Sequence, residues 1–320
     1  MSLESALAIS LARGPLVGTF LGLILYGVTC LQAFFYFQTY EDDRKVLKIT
    51  VALLLAFETI HAALSMWVMD DYLIVHYADV SALQSANWPS TSTYIIGLAI
   101  DFFVYLYFTW RIWSFTENMY IVIFMSSISI SRTVVSIIAC VSSVMNDTWT
   151  SYLKHTRSLI LTGNALFIVG DTLSASVMAY YLNKSKRQSG MYRTDLLINR
   201  LLIFAVATGG LTSLVDIIAL IFTLTQPQSI AFMGPILVQT RLYANSLLTS
   251  LNIRNANARA YNAATDPQSG IDIELQFARP PDISATSQAG GRQSAIGIRK
   301  STAESWHTAQ DSGTSSQPYV

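Results

Sequence analysis

The sequence predicts an all-α, polytopic membrane protein built as a bundle of seven transmembrane helices. Hydrophobic residues make up 52% of the 320 residues and charged residues only 12%. The apolar residues gather in stretches of about 20, the length of helix that crosses a bilayer core. Helices are expected because backbone polar groups in lipid must be paired within their own segment. The seven stretches are residues 15–37, 47–69, 91–113, 119–145, 159–182, 201–224 and 230–251.

The apolar stretches divide the chain into three parts. Residues 1–13 form a short extracytosolic segment, residues 14–252 the seven-helix domain, and residues 253–320 a disordered cytosolic tail rich in Ser, Thr, Gln and Gly. A tail of this composition buries too little apolar surface to offset the entropy of ordering. It is a candidate binding segment for cytosolic proteins.

The distribution of Lys and Arg predicts the orientation in the lipid bilayer. One side of the membrane, which includes the amino-terminal segment, carries three of these residues, and the other side, which includes the tail, carries fifteen. Cytoplasmic segments carry the excess of positive charge. We therefore expect the amino terminus outside and the carboxyl terminus in the cytosol, and we favour the plasma membrane over an internal one.

Each stretch after the first carries an ionisable residue near its middle. Inserting one such residue into a membrane costs about 2.5–3.5 kcal/mol, so we expect these side chains to face the bundle interior. Other polar residues repeat at helical spacing on the same faces, which supports this arrangement. The sequence therefore predicts a polar intramembrane site for a small ligand or a cation, formed by Glu58, His61, Asp101, Arg132, Asp171, Asp216, Arg241 and Asn245.

The four carboxylates of this set outnumber its two guanidinium groups. A carboxylate without a cationic partner in a low-dielectric interior is expected to hold a proton instead of a charge. The set therefore suits proton handling or the binding of a cation. A purely structural network that fixes the order of the helices explains the same pattern.

No catalytic motif is recognised, and we expect no enzyme activity. Glu58-x-x-His61 has the spacing of a metal-binding helix face, but no second copy exists, so neither a metal nor a cofactor is expected. Gly170-Asp171 is similar to the aspartyl motif of intramembrane proteases, yet Ile168 replaces a glycine of that motif. The balance of 20 basic and 20 acidic residues provides no net field for nucleic acid.

Gly14, Gly18 and Gly22 repeat at four-residue spacing in the first stretch. Small residues at this spacing let two helices approach closely. We expect them to pack against another helix of the same chain rather than against a second copy.

Two groups of residues form longer motifs. The first comprises Gly14-Pro15 to Gly18, Tyr26-Gly27, Gln32, Tyr36-Phe37 and the Asp43…Lys48 pair. The second and more specific is the run from Arg241 to Asn252, RLYANSLLTSLN. Across residues 14–254 the chain resembles a fungal family of multispan membrane proteins catalogued as domain of unknown function 6534. The resemblance implies a fungal membrane protein without an assigned activity.

Three functions fit the sequence. The first is a receptor-like or sensor-like heptahelical protein that binds a small ligand in the polar centre of the bundle. The second is a proton- or cation-coupled transporter of small solutes that uses the same carboxylates as a relay. Against it, no stretch is broken and no inverted repeat is readable. The third is a non-catalytic membrane scaffold in which the charges only order the helices.

Overall fold

The computed structural model describes residues 3–77, 79–84, 88–146, 148–189, 192–227 and 229–265. A π-helical turn, Asp71–Val75, extends the second long helix, and a four-residue helix, Val80–Leu83, follows it. No strand occurs in these residues, so the described chain is all-α as predicted. The long helices are α1 Leu3–Thr39, α2 Lys45–Asp70, α3 Trp88–Thr116, α4 Met119–Met145, α5 Trp149–Ser189, α6 Tyr192–Thr225 and α7 Met233–Thr265.

Most helices extend beyond the apolar stretches that predict them. α5 begins at Trp149, inside the predicted connection before residue 159, and α1 begins at Leu3, inside the predicted amino-terminal segment. α7 continues to Thr265, past the predicted start of the tail at residue 253. Hydropathy marks only the part of a helix that fits the bilayer core. Residues 266–320 of the predicted tail lie outside the described residues.

The long helices form a closed ring in chain order, in which each helix packs against the next and α7 returns to α1. α3 lies inward, because it contacts α2, α4, α5 and α7. We call the end of the bundle that holds the starts of α1, α3, α5 and α7 the first face. The opposite end, which holds the starts of α2, α4 and α6, is the second face.

Six segments are long and apolar enough to cross a membrane, and within the described residues they are almost entirely helical. Large apolar side chains on them are exposed, for example Ile24 and Ile203. A continuous apolar surface of this kind is stable against lipid rather than water. The chain is therefore a multi-pass membrane protein. The six segments are Leu11–Thr39, Lys45–Val75, Ser81–Ser114, Met119–Met145, Trp149–Lys186 and Leu201–Thr225.

α7 is not among these six segments, and its position in the bundle explains why. Polar residues such as Gln239, Thr240 and Arg241 interrupt its apolar sequence. No residue from 231 to 253 is exposed, because α1, α3 and α6 pack against this part of α7. A helix covered by three neighbours needs no continuous apolar stripe facing lipid. The polar character of α7 thus follows from its enclosure.

α1 and α7 approach to backbone contact near the first face. A Cβ atom added to Gly14 would lie 2.5 Å from the Cα of Ala231, and one added to Gly18 would lie 2.5 Å from the carbonyl oxygen of Gly234. Only glycine fits this approach, because it has no Cβ atom. The glycine repeat of α1 therefore packs within the chain, as expected from its spacing.

We predict that Gly18→Ala lowers the free energy of unfolding by about 1–3 kcal/mol, because the new methyl group overpacks the contact with α7. Gly27→Ala is the matched control, since a Cβ atom there meets nothing within 4 Å. Both changes give α1 the same gain in helix propensity. Thermal unfolding of the purified variants measures the difference. Equal unfolding temperatures would contradict the close approach of the two helices.

Candidate functional site

The eight residues predicted to form a polar site are all buried in the bundle. Their exposed fractions run from 0% for Glu58 to 8% for Asn245. Side chains of this kind face lipid only at a high cost, which explains their inward placement. They come from six helices: Glu58 and His61 from α2, Asp101 from α3, Arg132 from α4, Asp171 from α5, Asp216 from α6, and Arg241 and Asn245 from α7.

Arg132 is the centre of one set of contacts, which we call the arginine layer. Its Nη1 atom lies 3.4 Å from Oδ1 of Asp171, and the hydroxyl of Tyr243 donates to the same oxygen at 2.6 Å. The ring centroids of Tyr105 and Phe167 lie 4.2 Å and 4.5 Å from its Cζ atom. The ion pair and the two ring faces together offset the cost of burying the guanidinium group. The arginine layer consists of these five residues.

Arg241 is the centre of a second set. It forms an ion pair with the carboxylate of Glu58, and its Nη1 also donates to the backbone oxygen of Glu58 at 2.9 Å. This pair joins α7 to α2. One turn further along α7, the side-chain amide of Asn245 donates to the backbone oxygen of Leu25 at 3.1 Å and so joins α7 to α1.

Two buried carboxylates, Asp101 and Asp216, form no ion pair with any described residue. The hydroxyl of Thr240 donates to Oδ2 of Asp101 at 3.5 Å. Within the described part of the chain, Oδ1 of Asp101, Oδ2 of Asp216 and Nδ1 of His61 have no hydrogen-bond partner. Nearly all buried polar atoms in proteins have one, supplied by the protein, by water or by a ligand. An atom of this kind has room for a bound molecule or for water only where its residue also borders a cavity.

A cavity of about 120 Å³ extends from the first face to Asp101 and His61 at its base; we call it the first-face cavity. Its volume is below the roughly 300–1,000 Å³ of sites for drug-sized molecules. It is large enough for several water molecules or for a solute of a few heavy atoms. Thr240 and Gly97 also line the base, and the aromatic residues of the walls are Tyr72, Tyr94, Trp149, Tyr152, Phe167 and Phe232.

A smaller cavity of about 50 Å³, the second-face cavity, lies on the other side of the arginine layer. On α3, residues 90–101 contribute to the first-face cavity and residues 105–111 to the second. On α7, residues up to Thr240 line the first-face cavity, and residues from Tyr243 onward line the second-face cavity. The arginine layer therefore separates two cavities that open toward opposite faces.

The structure divides the single site predicted from the sequence. Asp101 and His61 line the first-face cavity, and Asp171 lines the second-face cavity. The remaining five residues line neither of the two cavities. Four of them form the contacts between helices, namely Glu58, Arg132, Arg241 and Asn245. The fifth is Asp216.

Two residues that contact the buried carboxylates were missed by the sequence reasoning, namely Thr240 and Tyr243. Helical spacing predicts one polar stripe on each helix, and neither residue lies on the stripe of Arg241. Because α7 is enclosed, it presents polar side chains in several directions. The high polar content of this stretch, compared with the other six, is the signal that could have found them.

A third set of contacts, the clasp, lies at the second face. Asp43, in the connection after α1, forms an ion pair with Arg254 of α7 and accepts a hydrogen bond from the hydroxyl of Tyr36 at 2.8 Å. The Arg254 guanidinium holds the pKa of the Asp43 carboxyl below its usual value. The clasp consists of Asp43, Arg254 and Tyr36, and it joins the end of α1 to the second-face half of α7.

We predict that Arg241→Met lowers the free energy of unfolding by about 3–5 kcal/mol, because it leaves the Glu58 carboxylate buried without its partner. Adding Glu58→Gln to this variant should restore part of the loss, since the unpaired charge is then removed. Arg254→Met is the control. The side chain of Arg254 is 39% exposed, and an ion pair of this exposure contributes about 0–1 kcal/mol. Equal losses for the two arginines in thermal unfolding would show that burial of the first pair is not decisive.

The chain matches one protein family. The sequence model of the family described as "Family of unknown function (DUF6534)" matches residues 167–256, which run from α5 through α6 into α7. The run from Arg241 to Asn252 lies in the match, and the motif in α1 lies outside it. No curated protein and no solved structure matches the chain. Over residues 167–256 the chain thus matches the family of unknown function DUF6534, which confirms the resemblance that the run from Arg241 to Asn252 indicates.

Proposed function

We propose that this multi-pass membrane protein is a receptor-like sensor that takes a small ligand into the first-face cavity. The observation that carries the proposal is the position of Asp101. Its side chain is buried at the base of the cavity, and one carboxylate oxygen has no partner among the described residues. A cavity whose lining combines aliphatic and aromatic side chains with a small number of polar groups is typical of small-molecule sites.

The contacts of Asp101 offer a physical route from the cavity toward the second face. Thr240 of α7 donates to its carboxylate, and Arg132 of α4 donates to its backbone oxygen at 3.4 Å. Arg132 in turn holds Asp171 and Tyr243, which line the second-face cavity. A ligand that binds Asp101 more tightly in one arrangement of these contacts shifts the population toward that arrangement.

We further propose seven membrane spans, with the first face outside the cell and the second face in the cytosol. The enclosed part of α7, residues 233–251, is roughly 28 Å long at 1.5 Å per residue, close to the thickness of the bilayer core. Lys and Arg are concentrated at the second face, as in the connection at Arg44 and Lys45. In the plasma membrane this orientation would expose the cavity to extracellular solutes and the tail to cytosolic proteins.

The experiment that tests the sensor fills the base of the cavity. A Cβ atom at Gly97 would lie 3.4 Å from both Nε2 of His61 and Oγ1 of Thr240. We predict that a small solute that binds the cavity raises the unfolding temperature of the wild-type protein. At a hundredfold excess over the Kd the free energy of unfolding rises by about 2.7 kcal/mol. Gly97→Val should abolish this stabilisation, because the isopropyl group occupies the ligand's space.

The matched control for this variant is Gly27→Val, which introduces the same side chain where no neighbour lies within 4 Å. It should keep the stabilisation by solutes. A panel of small cations, anions and neutral solutes that leaves the unfolding temperature of the wild type unchanged would sink the proposal. So would stabilisation that persists in Gly97→Val.

A second candidate function is a proton- or cation-coupled transporter of small solutes, and the second-face cavity favours it. The two cavities lie on opposite sides of the arginine layer, and each is lined by one of the buried aspartates, Asp101 or Asp171. Titratable groups on both sides of a thin barrier are what a coupled transporter requires.

Flux across reconstituted vesicles separates the two functions. We expect no change in the fluorescence of an enclosed pH dye when a stabilising solute is added outside, because the sensor does not open the arginine layer. The transporter instead predicts a change of internal pH that Asp171→Asn removes and Gly27→Val keeps. A solute-dependent signal of this kind would replace the sensor with the transporter.

A further inference from the structure

We infer that the solute bound by the first-face cavity is a small organic cation of the primary-amine type, held by Asp101. This inference rests on the proposed function and specifies the chemistry of its ligand. Asp101 is 4% exposed, and the Oδ1 atom of its carboxyl group is without a partner within the described residues. An ammonium group donates hydrogen bonds, and its charge favours the ionised form of a buried carboxyl group, so it satisfies this oxygen better than a neutral donor does.

The charges around the base exclude an anion. Arg132 and Arg241, the guanidinium groups nearest to it, do not line the cavity. Arg132 is engaged by Asp171 and covered by aromatic rings, and Arg241 is engaged by Glu58. Among the described residues that line the cavity there is no Lys or Arg. Arg132 donates to the backbone oxygen of Asp101 from outside the cavity. An anion entering the cavity would therefore meet the Asp101 carboxyl group without a cationic side chain that it could contact.

The walls favour an organic cation over a bare metal ion. Tyr94, Tyr152 and Phe167 present aromatic rings to the cavity above Asp101. Ring faces attract ammonium groups and also cover the attached hydrocarbon. A hard metal ion instead requires about six oxygen ligands, and the described residues contain no group of three or more His, Cys, Asp or Glu side chains arranged to hold one.

Hydrogen-bonding groups at the base complete the site. Thr240 and Ser136 line the cavity with their hydroxyl groups, and His61 contributes an imidazole whose Nδ1 has no partner within the described chain. In its neutral form the imidazole provides one acceptor nitrogen. The three hydrogens of a primary ammonium group can therefore be shared between Asp101 and these neutral groups. A volume of about 120 Å³ limits the attached chain to a few carbon atoms.

The test uses three probes of one skeleton: butylammonium, butanol and butyrate. Their binding to the full-length protein in lipid nanodiscs is measured by ligand-observed NMR. We expect butylammonium to bind about tenfold more tightly than butanol, as one charge-assisted hydrogen bond provides. Butyrate should not bind. This order in the wild-type protein decides the charge class without any substitution.

Two variants test whether Asp101 is the group that binds the ammonium ion. Asp101→Asn keeps the shape of the side chain and should reduce the affinity for butylammonium to that for butanol. Asp216→Asn is the control, because Asp216 is the other carboxylate without an ion pair among the described residues, and it does not line the first-face cavity. It should keep the tenfold preference. If Asp101→Asn fails to fold, Gly97→Val shows instead whether butylammonium binds in the first-face cavity. This variant keeps the Asp101 carboxyl group and should still remove the binding of butylammonium.

The possible failures are distinguishable. Butanol or butyrate binding as tightly as butylammonium, with loss of all binding in Gly97→Val, would overturn the amine inference and leave the sensor standing. Absence of binding by all three probes, with other solutes of the panel still stabilising the wild type, would overturn the amine inference alone. Absence of stabilisation by the whole panel as well would remove both. Stabilisation by sodium chloride that depends on Asp101, without stabilisation by butylammonium, would assign the site to an inorganic cation and overturn the organic part of the inference.

Discussion

The constraint on which the rest of this structure depends is that charged groups inside a membrane bundle must find partners there. Arg132 reaches Asp171 on the neighbouring helix α5, and Arg241 reaches Glu58 on α2. Each pair joins two helices, so the pairs limit how those helices can rotate about their own axes. Breaking such a pair costs more than replacing both of its members. The pairs therefore select one packing of the ring among several that would bury similar apolar area.

The same constraint explains why the buried set contains more carboxylates than guanidinium groups can pair with. With both guanidinium groups engaged, Asp101 and Asp216 are left without an ion pair among the described residues. A bundle selected only for stability would replace two such carboxylates with apolar residues, because an unpaired carboxylate in an apolar interior is costly. Their burial without an ion pair agrees with the proposed function, which requires negative charge or a transferable proton at this depth.

The sequence predicted the helices and the inward direction of the charges, and it did so for a simple reason. Hydropathy and helical spacing depend on a residue's immediate neighbours along the chain. The partner of Arg132 depends instead on the order of the helices in the ring and on their rotation. Nothing in the spacing of residues favours Asp171 over Asp101 as that partner. The division into two cavities was equally hidden, since it results from the rings of Tyr105 and Phe167 on either side of one guanidinium group.

The close approach of α1 and α7 has a mechanical consequence. Near one face the two helices touch backbone to backbone at Gly18 and Gly234, and near the other Asp43 holds Arg254. Sliding α7 along α1 would break both attachments at once. α1 and α7 therefore form a rigid pair that does not rearrange. Any rearrangement that begins at the buried acids has to be taken up by the helices on the opposite side of the ring, α4, α5 and α6.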